Sequence, residues 1–249
     1  MIALLGAVIT FIVLGILYKK MIRWGQPPAI SKRQAVVPVV LGVFSLLISF
    51  AFVLLNWAVA NGVGYDREAA HVAVQSIISA FLSAGLPEEF AKLLMILISI
   101  RIFRKHIGNV YEYILVGAAV GFGFTIFEEF IYGSDLISMI FRLVTVTGHM
   151  LFGICMARHL GMAKYDKDTG KGSSAKEYIL AFVIPVVLHT VYDALVMNKL
   201  KESGDENIQL IGICIALAAV VFMFALQIIV LVKLKKNAGK LSALAFTPS

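Results

Sequence analysis

Apolar runs of about 20 residues recur along the whole chain, and a run of that length can cross the roughly 30 Å hydrocarbon core of a bilayer as a helix. Seven are present, at about 2–18, 35–60, 69–100, 112–133, 136–158, 177–198 and 207–232. Inside lipid the backbone has no water to bond, so such runs must close their own hydrogen bonds as helices. The expected class is therefore all-α: a polytopic integral membrane bundle of about seven transmembrane helices, one domain over 1–249. Composition agrees. The chain is 60% hydrophobic and 15% charged, with a mean hydropathy of +0.90, whereas soluble domains lie nearer a half and a quarter. The first run lacks a basic lead and a small-residue cleavage site, so it is expected to be a retained helix and not a leader.

A net charge of +7 could point to nucleic acid, but the basic residues sort by loop. Lys19, Lys20, Arg23, Lys32 and Arg33 follow the first run, and Arg101, Arg104 and Lys105 follow the third. Arg158, Lys164, Lys167, Lys171 and Lys176 follow the fifth; Lys233, Lys235, Lys236 and Lys240 follow the seventh. The opposite side keeps Arg67, Arg142, Lys199 and Lys201. The positive-inside rule then puts the N-terminus outside and the C-terminus in the cytoplasm. The charge encodes topology and implies the lipid bilayer as partner, with no nucleic acid. Cys155 and Cys214 each sit within an apolar run, so neither a disulfide framework nor a thiol metal motif is expected.

The runs are not equally apolar. The third to sixth carry Glu88, Glu89 and Lys92; Glu128 and Glu129; Arg142 and His149; His189 and Asp193. A charge at mid-bilayer costs roughly 2.5–3.5 kcal/mol, so these residues are expected to face the bundle interior and satisfy one another. Counting helical rise from the basic end of each run puts Glu88 and His189 at ~20 Å, Glu128 at ~24 Å and His149 at ~14 Å. Four helices thus bring carboxylates and imidazoles to overlapping depth.

Spacing supports one site. Glu88 and Lys92 are four apart, as are His189 and Asp193, so each pair shares a helix face. Thr145, His149 and Gly153 make a stripe on the fifth run, and Gly117, Gly121 and Thr125 a small-residue ridge on the fourth that Glu128 continues. Pro87, after Gly85, predicts a new helical segment with Glu88 and Glu89 in its first turn. Blander readings apply elsewhere. Glu88–Lys92 alone could be a packing ion pair, Arg142 is expected to snorkel outward, and His71, His106 and His159 to be solvated. Of Glu128 and Glu129, the first is expected to be the buried one. The Met and Phe residues read as bilayer and core filling.

The ordered motifs resemble a known family. "EEFAK" (Glu88–Lys92), "FTIFE" (Phe124–Glu128), His149 with a small residue four on, and "HTVYD" (His189–Asp193) resemble the PrsW family of intramembrane proteases. That family belongs to the superfamily of CAAX prenyl proteases and bacteriocin-processing and immunity proteins. The resemblance covers about 85–197, the catalytic core, with Glu129 as a departure where the family often has Asn. It implies a bacterial cell membrane and site-1 cleavage of a single-span anti-sigma factor in envelope stress. It also implies Glu88, Glu89, Lys92, Glu128, His149, His189 and Asp193 as catalytic residues.

Two mechanisms stay open at this level. Glu88 or Glu89 can be the general base, Lys92 holding the other ionised, with His149 and His189 polarising the carbonyl and protonating the amine. Alternatively His149, His189 and Glu128 form a two-His-one-carboxylate site for one divalent metal, zinc being the best match. Two rival classes are a proton- or cation-coupled transporter, for which an inverted repeat is expected and none is visible, and a non-catalytic immunity-type membrane protein.

Overall fold

The structure is a computed structural model describing residues 2–25, 30–66, 71–132 and 136–247; Arg67 lies outside them. Its described residues are helical throughout, apart from turns and one isolated antiparallel bridge between Asn109 and Ala245. The order is α1 (Ile2–Trp24), α2 (Lys32–Gly62), α3 (Val72–Ala80), a π-helical turn (Phe81–Gly85), α4 (Leu86–Phe103), α5 (Val110–Tyr132), α6 (Leu136–Val144), α7 (Gly148–Thr169), α8 (Ser174–Val196), a 3₁₀ turn (Lys199–Glu202) and α9 (Glu206–Ser242).

Among the described residues, six helical segments are long and apolar enough to cross a membrane: Ile2–Trp24, Lys32–Gly62, Val110–Ile131, Met139–Thr169, Ser174–Glu202 and Glu206–Ser242. The expected third run is helical too, but it is split by the π turn, and α4 carries Glu88, Glu89, Lys92 and Arg101. Its Glu88, Glu89 and Lys92 are buried, while Leu97 and Ile102 stay exposed on the same helix.

α5 is the central post. Of its span 72% is buried, against 17% for α9, and it packs on α7, α2 and α1. Its glycine ridge explains how. A Cβ on Gly117 would overlap the Gly153 carbonyl of α7, and one on Gly121 would overlap the His149 carbonyl. Gly153 reciprocates on the Gly117 carbonyl. Helices meeting backbone to backbone gain van der Waals contact that lipid cannot supply, which is the use of small residues in membranes. The crossing also fixes His149 directly against α5.

The fifth run departs from a straight span. It breaks after Val144, and α7 restarts at Gly148 after the turn at 145–147. The expected Thr145–His149–Gly153 stripe is therefore interrupted: Thr145 lies in the turn, while His149 opens α7.

Filling the crossing should separate the helices. Gly121→Val is expected to lower stability by about 1–3 kcal/mol or more through overpacking. Gly239→Ala in α9, where nothing lies within 4 Å, should be neutral or stabilising. Apparent Tm in detergent for the two variants checks this.

Candidate active site

The site begins with a widened turn. Pro87 has no N–H and its ring crowds the carbonyl four residues back, so a regular helix cannot pass through it unchanged. The chain absorbs this with the π turn: the Leu86 N–H bonds to the Phe81 carbonyl, and the displaced Leu82 carbonyl accepts from Asn56 Nδ2 of α2 at 2.9 Å. The expected new segment at Pro87 is thus present, with Glu88 and Glu89 in the first turn of α4. It is joined by continuous helix and not by a break. Gly85 lets this turn touch α8, since a Cβ there would overlap Thr190 Oγ1, one residue from His189.

Lys92 is the hub. It is fully buried, and its ammonium donates to Glu89 Oε1 at 2.5 Å and to His149 Nδ1 at 2.8 Å. Its charge lies over the Phe124 ring, 4.3 Å from the centroid. Lys can only donate, so His149 Nδ1 accepts and Nε2 carries the proton, given to Glu128 Oε2 at 2.6 Å. His189 presents Nδ1 to Glu89 Oε1 at 2.6 Å and Nε2 to Asp193 Oδ2 at 3.4 Å. The Phe152 ring stacks on the His189 imidazole, centroids 5.1 Å apart. All seven expected residues, Glu88, Glu89, Lys92, Glu128, His149, His189 and Asp193, thus join one network from α4, α5, α7 and α8.

The two adjacent glutamates differ. Glu89 is locked between Lys92 and His189, whereas Glu88 Oε2 is buried without a hydrogen-bond partner among the described residues. It lies 3.8 Å from Lys92 Nζ, 3.9 Å from His149 Nδ1 and 3.8 Å from His189 Nε2.

Several expectations need correction. Arg142 does not snorkel: Nη2 reaches Glu128 Oε2 at 3.2 Å and Nε donates to Glu129 Oε1 at 2.9 Å. Glu129 is the more buried of that pair, and Glu128 is the one on His149. The physical reason is shared: a guanidinium can fork across the carboxylates of two adjacent helix residues and so keep both out of lipid. His159 is not solvated but buried, with Nδ1 2.6 Å from Glu177 Oε2. Phe124 and Phe152 are site walls and not filler. Gln227 of α9 went unread in the sequence: it accepts from Thr147 Oγ1 at 2.5 Å and donates to the Thr145 carbonyl at 3.2 Å. It thereby pins the turn that presents His149. A lone amide in a long apolar run was the available signal.

The donor chemistry fits a divalent metal. One ligand atom each from Glu88, Glu89, His149 and His189 lies within 4.8 Å of the others, and imidazole with carboxylate suits zinc. Glu88 Oε2 and Glu89 Oε2 both retain unused acceptor capacity. Counting Glu128, Glu129 and Asp193, five carboxylates face Lys92, Arg142 and the His189 imidazole, which meets a carboxylate at each nitrogen. Such an excess calls for further positive charge. Glu128 falls outside the four-residue group. It sits behind His149, where a carboxylate fixes the imidazole orientation.

The sequence profile of the PrsW family intramembrane metalloproteases matches residues 30–230. The chain belongs to that family. Protease PrsW of Bacillus subtilis is 33% identical over 132 residues, covering 52% of this chain and 59% of that protein. The Halalkalibacterium halodurans protein of the same name is 29% identical over 126 residues, covering 49% and 55%. The one from Oceanobacillus iheyensis is 26% identical over 198 residues, covering 78% and 80%. The chain thus spans little more than half the length of the first two relatives. No solved structure matches it. Family and helices together place it as a multi-pass protein of the bacterial cell membrane.

Removing Lys92 would leave Glu89 buried and short of charge. Lys92→Met is expected to cost about 3–5 kcal/mol, and adding Glu89→Gln should recover part of it. Denaturant titration of both variants in detergent measures the difference. A double variant no more stable than the single one would contradict the pairing.

Proposed function

We propose that this protein hydrolyses a peptide bond of a single-span membrane protein within the bilayer, with Glu88 as general base. The observation that carries the reading is Glu88 Oε2: buried, unpartnered, and 3.8–3.9 Å from Lys92, His149 and His189. That spacing exceeds a hydrogen bond and suits one oxygen bridging between them. Family membership supports the same class.

Glu88 takes a proton from the attacking water as the water oxygen bonds to the carbonyl carbon. Lys92 Nζ, turned toward the same space, stabilises the oxyanion that forms. Glu128, held by Arg142, keeps His149 oriented, and His149 in turn directs the Lys92 ammonium. Collapse breaks the C–N bond. The proton held at Glu88 passes to the departing amine through His189 Nε2, which Glu89 and Asp193 hold from either side. The products are a carboxylic acid and an amine. His149, His189 and Glu89 are the residues that would hold a zinc ion, His149 through Nδ1 once the Lys92 ammonium had withdrawn from it. When bound, the ion supplies Lewis-acid polarisation and a more acidic water.

The family resemblance extends the reading to substrate: a single-span anti-sigma factor, cut first at this site during envelope stress, so that a transcription factor is later released. The seven-residue network is compatible with any extended segment that reaches Glu88, so substrate identity rests on that resemblance.

Cells expressing wild type and Glu88→Gln at matched levels should differ in new protein N-termini of the membrane fraction. Termini near a membrane boundary of a single-span protein are expected with wild type and reduced by at least ~100-fold in the variant. Indistinguishable termini under several envelope stresses would overturn proteolysis and favour ion-coupled transport, which also uses buried carboxylates and imidazoles.

A further inference from the structure

At the end of the bundle that carries most of the Lys and Arg, α4, α5, α7 and the segment joining α4 to α5 line an open pocket of about 360 Å³ that the catalytic network does not use. Its lining is divided by chemistry: Arg101, Arg104 and Lys164 supply charge, and Leu97, Ile100, Ile107 and Tyr113 supply apolar wall. Positions 97, 100 and 101 of α4 and its capping residue Arg104 fall on one face. Leu97 lies seven residues before Arg104, hence ~10 Å further into the bundle along the axis. Leu97 is exposed at 45%, whereas Ile107 and Tyr113 are buried. The pocket therefore has buried apolar residues at its base, an exposed apolar side at Leu97, and cationic side chains at the end away from the bundle centre.

The rim charges are not spent on the protein. Neither Arg101 nor Arg104 has a carboxylate within 4 Å among the described residues. Lys164 does: Asp168 Oδ2 lies 2.9 Å from Nζ and also accepts the Thr247 N–H at 3.2 Å. Lys164 Nζ sits 5.2 Å from the Phe246 ring centroid, and the Phe246 N–H bonds to the Gly108 carbonyl at 2.8 Å. The chain's own C-terminal residues thus hold Lys164 and Asp168 in place at one side. The two guanidiniums remain as the unneutralised pair.

We propose that this cavity binds an anionic phospholipid, its phosphate held by Arg101 and Arg104 and the start of an acyl chain laid along Leu97 and Ile100. A guanidinium binds a phosphodiester in a forked, charge-assisted geometry, and basic cavities between transmembrane helices recognise anionic headgroups in this way. The apolar wall running out to the bilayer is what favours a lipid over free phosphate or an acidic peptide, neither of which has hydrocarbon to place against Leu97. The site is independent of the proteolytic reading.

The test uses the full chain purified in a non-ionic detergent and native mass spectrometry, titrating phosphatidylglycerol against phosphatidylcholine with the same acyl chains. Wild type should retain phosphatidylglycerol at least ~10-fold more tightly. Arg101→Gln/Arg104→Gln should erase that preference, while Lys233→Gln/Lys235→Gln, an equal charge change on exposed positions of α9, should keep it. Equal retention of the two lipids by wild type overturns the proposal without recourse to any variant. So does an equal loss in both variants, or full displacement of the lipid by millimolar inorganic phosphate.

Discussion

A lysine ammonium sealed inside the bundle sets the terms for everything around it. Lys92 has no access to water, so its charge must be met by groups brought from other helices. Glu89 meets it from the same helix, His149 from α7 and the Phe124 ring from α5. Each partner then needs a partner. His149 hands its other nitrogen to Glu128, Glu128 shares Arg142 with Glu129, and Glu89 takes His189. The chain of obligations ties α4, α5, α6, α7 and α8 together, and lipid offers no alternative partner to any of them.

Two irregular elements make that network possible. The π turn before Pro87 shifts the register of α4 and brings it against Thr190 of α8. The turn between α6 and α7 brings Arg142 back over Glu128 while His149 starts a new helix at the α5 contact. Both irregularities leave backbone groups that a regular helix would have satisfied, and both are repaired by amides from outside: Asn56 at the Leu82 carbonyl, Gln227 at the Thr145 carbonyl. Backbone repair by neighbouring helices is what permits broken helices at membrane depth. The site therefore depends on α2 and α9, which contribute nothing to its chemistry.

The asymmetry between Glu88 and Glu89 follows from the same geometry. Adjacent residues on a helix point about 100° apart, so one lysine can close on only one of them at hydrogen-bond distance. Glu89 takes that bond, and Glu88 is left with a free oxygen near three nitrogen atoms. An identical pair of side chains is thus divided into one bonded to Lys92 and His189 and one held at 3.8–3.9 Å from three nitrogen atoms.

Hydropathy alone determined the all-α membrane class, because apolar runs of that length allow no other way to satisfy a backbone in lipid. The charged residues within them singled out a set that the fold brings together, because burying charge at that depth needs a common reason, and spacing paired His189 with Asp193 as found. Sequence could not say which glutamate Lys92 holds, that Arg142 turns inward, or that Gln227 and Asn56 matter. Those depend on side-chain direction at two helix irregularities and on which neighbour lies within about 3 Å. The periodic reading assumed regular helices, and at Pro87 and Thr145 the tertiary structure replaced them.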